Sequence, residues 1–128
     1  MTTATRPAAL LRLALRLDAV ASGGLGLLLL ATSGLLADLL GLPQPLLLTA
    51  GGILVVFAAF VAWLGLRATP SRTGTKEVVA VNVLWLLASV AVAVLVPMNG
   101  LGLAFVLAQA GAVAVFAELQ VVGLRRLV

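Results

Sequence analysis

The chain has no cysteine, no histidine and no tyrosine. These absences remove most of the side chains that carry redox, metal and proton-transfer chemistry near neutral pH. Haem ligation by histidine or cysteine is excluded, and so is thiol exchange of the kind used by four-helix, quinone-linked membrane oxidoreductases. The redox compartment cannot be read from cysteines that are not there. Charge is equally scarce, with eight Lys and Arg and four Asp and Glu, 9% of 128 residues. Aromatic residues make up 5%. A water-soluble domain of this length must cover its surface with charge, and twelve charged side chains do not suffice.

What the chain does have is apolar mass, 63% hydrophobic residues and a mean hydropathy of +1.28. It is therefore read as an integral membrane protein. The net charge of +4 and a pI near 11.6 resemble those of nucleic-acid-binding proteins. Eight cations scattered along so apolar a chain are better read as topology determinants, and no nucleic-acid partner is expected.

A spanning helix needs about 20 mostly apolar residues. Charges, prolines and glycines cut four such stretches, at about 15–36, 46–66, 77–96 and 101–124. The first ends in a short amphipathic piece, 35–40, stopped by Gly41 and Pro43-Gln44-Pro45. The segment 68–75, rich in Thr, Ser, Pro and Gly, is the one clearly polar loop. The turn Pro97-Met98-Asn99-Gly100 is so short that the third and fourth helices must be antiparallel neighbours. The expected fold is all-α, a single integral membrane bundle of four transmembrane helices.

Orientation follows from the positive charges, which are retained on the cytoplasmic side. Arg6, Arg12 and Arg16 precede the first span, Arg67, Arg72 and Lys76 lie between the second and third, and Arg125 and Arg126 follow the fourth. All eight fall on one side and none on the other. Both termini are expected in the cytoplasm, with the chain in the bacterial inner membrane. A basic start followed by an apolar run also fits a cleavable signal peptide, with Ala31-Thr32-Ser33 mimicking a cleavage site. The expectation taken is an uncleaved first span. The residues before it, Leu10 to Leu17, extend it as a helix with Arg12 and Arg16 one turn apart. Arg12, Arg16, Arg67, Arg125 and Arg126 are expected to reach lipid headgroups while their stems stay in the acyl boundary.

At an offset of 59 residues Asp18 aligns with Glu77 and Val56-Phe57-Ala58 with Val115-Phe116-Ala117. The two hairpins then read as parallel repeats about the membrane normal. Chance matches in an Ala, Val, Leu and Gly alphabet are the competing explanation.

Polar residues inside a membrane are costly, so each is a candidate for function or for joining helices. Asp18, Ser22 and Gly26 share one face of the first helix, and Asn82, Trp85 and Ser89 one face of the third. On the fourth, Gln109 and Gln120 share a face, whereas Glu118 points nearly the opposite way, about 10 Å from the helix end at Arg125. Asp18, Ser22, Asn82, Glu118 and Gln120 all fall in the cytoplasmic half. The outer half is nearly bare, which argues against a continuous ion path. Two readings of the cluster follow. In one, Asp18, Asn82, Gln109 and Glu118 form a ligand or proton site. In the other, they form an interhelical network, with Asp18 or Glu118 paired to Arg16, Arg125 or Arg126. Trp63, one turn before Arg67, is read as an interface anchor, and the Trp85 indole either has a partner such as Gln109 or Ser89 or faces lipid. Small residues at four-residue spacing, Ser22 with Gly26, Ala58 with Ala62, and Ala104 with Ala108 and Ala112, offer close helix contact.

The segments 15–24 and 82–89, together with Ala117-Glu118-Leu119-Gln120 and the ending Gly123-Leu124-Arg125-Arg126, resemble uncharacterised small four-span integral membrane proteins of high-GC bacteria. The resemblance covers nearly the whole chain. It implies a four-helix inner-membrane protein and brings no established activity and no assigned site residues. Small multidrug transporters share the size and carry an acidic residue in the first helix, which only Asp18 matches, but the aromatics lining their drug site are missing here. Dual-topology fluoride channels have motifs in their first and third helices without counterpart in this chain, and the one-sided charge opposes antiparallel dimers.

No enzyme is expected, because no nucleophile, base or metal set pairs convincingly. No catalytic residue, cofactor or metal is assigned. The leading expectation is a structural or accessory membrane component, either a self-associating homo-oligomer or a subunit of a larger complex. The alternative is a small homo-oligomeric transporter or a ligand- or lipid-binding protein using the polar cluster.

Overall fold

Runs of Leu, Val and Ala without interior proline can satisfy their backbone groups in a bilayer only as helices. The computed structural model describes residues 5–127, and helices account for most of them. In chain order they are α1 Thr5–Ala31, α2 Ser33–Leu40, α3 Gln44–Gly65, α4 Arg72–Leu95 and α5 Gly100–Arg125. Four of the five, over Ala8–Ala31, Gln44–Gly65, Arg72–Leu95 and Gly100–Arg125, are long and apolar enough to cross a membrane. Among the described residues there is no strand.

The boundaries differ from the sequence expectation at both ends of the first span and at the start of the third. The first span begins earlier, because Leu10 to Leu17 do continue the helix, and it ends at Ala31. Thr32 leaves helical geometry, with φ −124° and ψ 25°, and its hydroxyl donates to the Leu28 carbonyl at 2.6 Å. The amphipathic end of the first span thus becomes a separate helix, α2. The third span begins at Arg72, five residues earlier than expected. Ser71 caps it by accepting from the Gly74 amide at 3.1 Å, so half of the expected polar loop is the first turn of a helix. Asn99 caps α5 in the same way, accepting from the Gly102 amide at 2.8 Å.

The four long helices run alternately up and down, and α2 lies across one end. At that end Asn99 Nδ2 donates to the Leu39 carbonyl at 2.9 Å, joining the α4–α5 turn to α2. The opposite end holds Arg12, Arg16, Arg67, Arg72, Lys76, Arg125 and Arg126, and is called here the basic end. The side chain of Arg6 lies outside the described residues. Leu11, Leu15, Val61, Leu64 and Val78 form a buried cluster just inside the basic end, and Leu29, Leu40, Leu42, Leu47, Leu54 and Val106 form another toward the far end.

Around the bundle α1 packs extensively on α3 and also on α5, and α5 packs on α4. The backbones of α1 and α3 meet where Gly26 crosses Gly51, and a Cβ on either would lie 2.9 Å from the other's carbonyl oxygen. Gly123 of α5 similarly lets Leu11 of α1 approach, with a built Cβ 2.8 Å from the Leu11 Cα. The fourth edge is different, for α3 and α4 barely touch. A strict twofold between the hairpins would make the α1–α5 and α4–α3 interfaces equivalent, and they are not. Asp18 is buried while its aligned counterpart Glu77 is exposed. The small residues also divide by direction. Ser22, Gly26 and Ala58 face inward, whereas Ala104, Ala108 and Ala112 face outward.

Candidate functional site

Asp18 and Ser22 stand one turn apart on α1, so their side chains meet, and the Ser22 hydroxyl donates to Asp18 Oδ1 at 2.8 Å. Asn82 of α4 and Gln120 of α5 converge on the other carboxylate oxygen. Asn82 Nδ2 donates to Asp18 Oδ2 at 2.9 Å, and Gln120 Nε2 donates to the same atom at 2.7 Å. The ring closes with a second bond from Asn82 Nδ2, to Gln120 Oε1, at 2.9 Å. Asp18 and Gln120 are 0% exposed, Asn82 2% and Ser22 7%. The helices α1 and α4 are not backbone neighbours, so the Asp18–Asn82 bond reaches across the bundle, with Gln120 joining both to α5.

A second polar group lies nearer the far end. The Trp85 indole donates to Gln109 Oε1 at 2.8 Å, one of the two partners expected for it. Gln109 Nε2 donates to the Ser89 hydroxyl and to the Val106 carbonyl, each at 2.8 Å, and Ser89 donates to the Trp85 carbonyl at 2.7 Å. These bonds tie α4 to α5. Between the groups a void of about 20 Å³, bounded by Ser22, Asn82, Phe57 and Trp85, has room for about one water. Among the described residues, no fully buried side-chain nitrogen or oxygen lacks a hydrogen-bond partner.

The four residues expected to form a ligand or proton site are thus divided. Asp18 and Asn82 meet, whereas Gln109 belongs to the Trp85 group, about 16 Å along α5 from Gln120. Glu118 stands exposed on the outward face of α5. Gln120 was not among those four, yet it completes the network. Its sequence signal was the face it shares with Gln109, three turns away, which is the inward face of α5.

The arginine pairing expected for Asp18 is also replaced. Its carboxylate takes three bonds from neutral donors, and Arg16 Nε instead donates to the Gly65 carbonyl at 2.8 Å. Arg12 Nη1 points to the Ala68 carbonyl at 3.4 Å. Arg16 therefore serves a carbonyl of the last turn of α3, where a helix leaves its acceptors unpaired, and Arg12 reaches the loop that follows it. Arg67 lies over the Trp63 ring at 4.1 Å, and that ring stacks on Phe60 with centroids 6.3 Å apart. Arg125 and Arg126 are exposed at the end of α5.

On the open edge the bundle holds a much larger space. A cavity of about 180 Å³ lies between α3 and α4, floored by α1 and α5. Its walls are almost wholly apolar. Compared with protein-family models, curated proteins and solved structures, the chain matches none. The multi-pass, all-helical membrane architecture is the identification that the sequence and the fold support together.

Proposed function

We propose that this protein is a structural or accessory component of a membrane assembly, seated in the bacterial inner membrane with both termini in the cytoplasm. The observation that carries this reading is that the buried Asp18 network joins three helices to one another. Three neutral donors on three side chains bind its carboxylate, and the void bounded by Ser22 and Asn82 of this network is about the size of one water. A transport or ligand site needs polar groups with unspent hydrogen-bonding capacity facing a cavity. Here the bonds of the network join α1, α4 and α5, and the void that Asn82 and Ser22 face has room for about one water. The orientation rests on the cations gathered at the basic end. No reaction is assigned to the chain, and Glu77 and Glu118 stand on exposed faces away from Asp18.

The test is native mass spectrometry of the protein released by mild detergent from its host membrane, as wild type and as Asp18→Asn. The reading predicts recovery in a stable assembly, with further polypeptides or as a homo-oligomer, and no polar small molecule that depends on Asp18. A reproducible polar ligand, co-released from the wild type and lost in the variant, would contradict it.

A further inference from the structure

The cavity on the open edge is the largest feature that the polar network does not explain. We propose that it holds one acyl chain of a bilayer phospholipid, from the leaflet at the end opposite the basic end, and that this chain is the element that fills the space between α3 and α4.

The argument runs from position to chemistry. The cavity is bounded by Ala50 and Leu54 on α3 and by Trp85 and Ala88 on α4, with Leu29 of α1 and Phe105 of α5 behind them. All these helices are membrane-spanning, so its mouth opens on hydrocarbon. Its residues on α3 begin at Leu46, two residues into that helix, which places it in the half away from the basic end.

Three occupants can be compared. Water requires two to four polar partners, and of the polar side chains in the lining Trp85, Ser89 and Gln109 are already bonded to one another, which leaves the Thr49 hydroxyl alone. A polar ligand meets the same obstacle. A helix of a second copy or another protein is about 10 Å across and does not enter a space of about 180 Å³. A hydrocarbon chain asks for no hydrogen bond and is narrow enough to lie between two helices. The volume also exceeds the roughly 150 Å³ of dry apolar cavities that take up benzene-sized hydrocarbon. Because an unfilled void forfeits dispersion contacts along its whole lining, the chain that fills it acts as part of the packed bundle.

The two tryptophans make this measurable, since Trp85 lines the cavity and Trp63 lies at the basic end. A Trp63→Phe protein carries Trp85 as its sole tryptophan. It is reconstituted into vesicles of phosphatidylcholine with 9,10-dibromostearoyl chains, and its emission is compared with that in dioleoyl phosphatidylcholine. Bromine quenches only at near contact. The expected result is loss of about half or more of the Trp85 emission, and at least a twofold reduction of that quenching when Ala88→Phe fills the cavity from α4. Ala50→Leu, filling it from α3, serves as the second variant should the first not fold, with helical circular dichroism as the control. Unquenched Trp85, or quenching unchanged in a folded filling variant, would overturn the proposal.

Discussion

Two sides of this bundle are built from the same apolar alphabet and pack differently. Where α1, α4 and α5 converge, Asp18, Asn82 and Gln120 close the interior to 0 to 2% exposure. Where α3 faces α4, Leu, Ile, Val and Ala line an open cavity of about 180 Å³. The difference is physical. In a bilayer an apolar side chain gains little by leaving lipid for another apolar side chain, so leucines alone do not draw helices together. Closure requires either hydrogen bonds or backbones that approach closely. The α1–α4–α5 side has the Asp18 network, the α4–α5 pair adds the Trp85 group, and α1 meets α3 through Gly26 and Gly51. The α3–α4 edge has neither, and it stays open.

This contrast can be broken most severely at the glycine crossing. Gly26→Leu places a side chain where a Cβ already lies 2.9 Å from the Gly51 carbonyl, and it should cost about 3 kcal/mol in SDS-titrated unfolding from mixed micelles. A wild-type midpoint would show that the backbone contact does not hold α1 to α3. Asp18→Ala should cost about 2 kcal/mol by the same assay, since it removes three bonds and leaves Asn82 and Gln120 short of a partner. Ser89→Ala takes one interhelical bond from the second group and should cost roughly 0.6 kcal/mol. The open side supplies the sharpest counterpart. Ala88→Leu adds volume facing a cavity, so its effect should stay within about 0.5 kcal/mol of zero. A loss above about 1 kcal/mol there would mean that the α3–α4 edge is closed in the membrane. Glu118→Gln, on the exposed face of α5, should leave the unfolding midpoint within about 0.5 kcal/mol as well.

Much of this was legible in the residues. Four spans, the antiparallel α4–α5 pair and the shared faces of Asp18 with Ser22 and of Asn82 with Trp85 and Ser89 all follow from helical period and punctuation. Depth left the Trp85 indole either a partner such as Gln109 or Ser89 or a place against lipid, and the structure shows the bond to Gln109. Other features were hidden for stated reasons. The break at Thr32 has no signal in the residues, since Thr is tolerated in membrane helices and the same hydroxyl-to-carbonyl bond at Ser89 leaves α4 continuous. The role of Gln120 depended on which face of α5 turns inward. Periodicity pairs Gln120 with Gln109 but does not say that their common face meets Asp18. The bonds from Arg16 to the Gly65 carbonyl and from Arg12 to that of Ala68 were hidden because sequence does not show which part of the chain lies beside α1. The open α3–α4 edge was least legible, since its residues are indistinguishable by hydropathy from those that pack.

The central claim is that polar side chains hold this bundle closed, and a double-mutant cycle between Asp18 and Gln120 addresses it most directly. Asp18→Ala, Gln120→Ala and the double variant are unfolded by SDS from the same mixed micelles, and the coupling free energy is taken from the four stabilities. The account predicts a favourable coupling of about 1 kcal/mol across the 2.7 Å bond between α1 and α5. Strictly additive losses would show that the two side chains do not hold α1 to α5, and would contradict it.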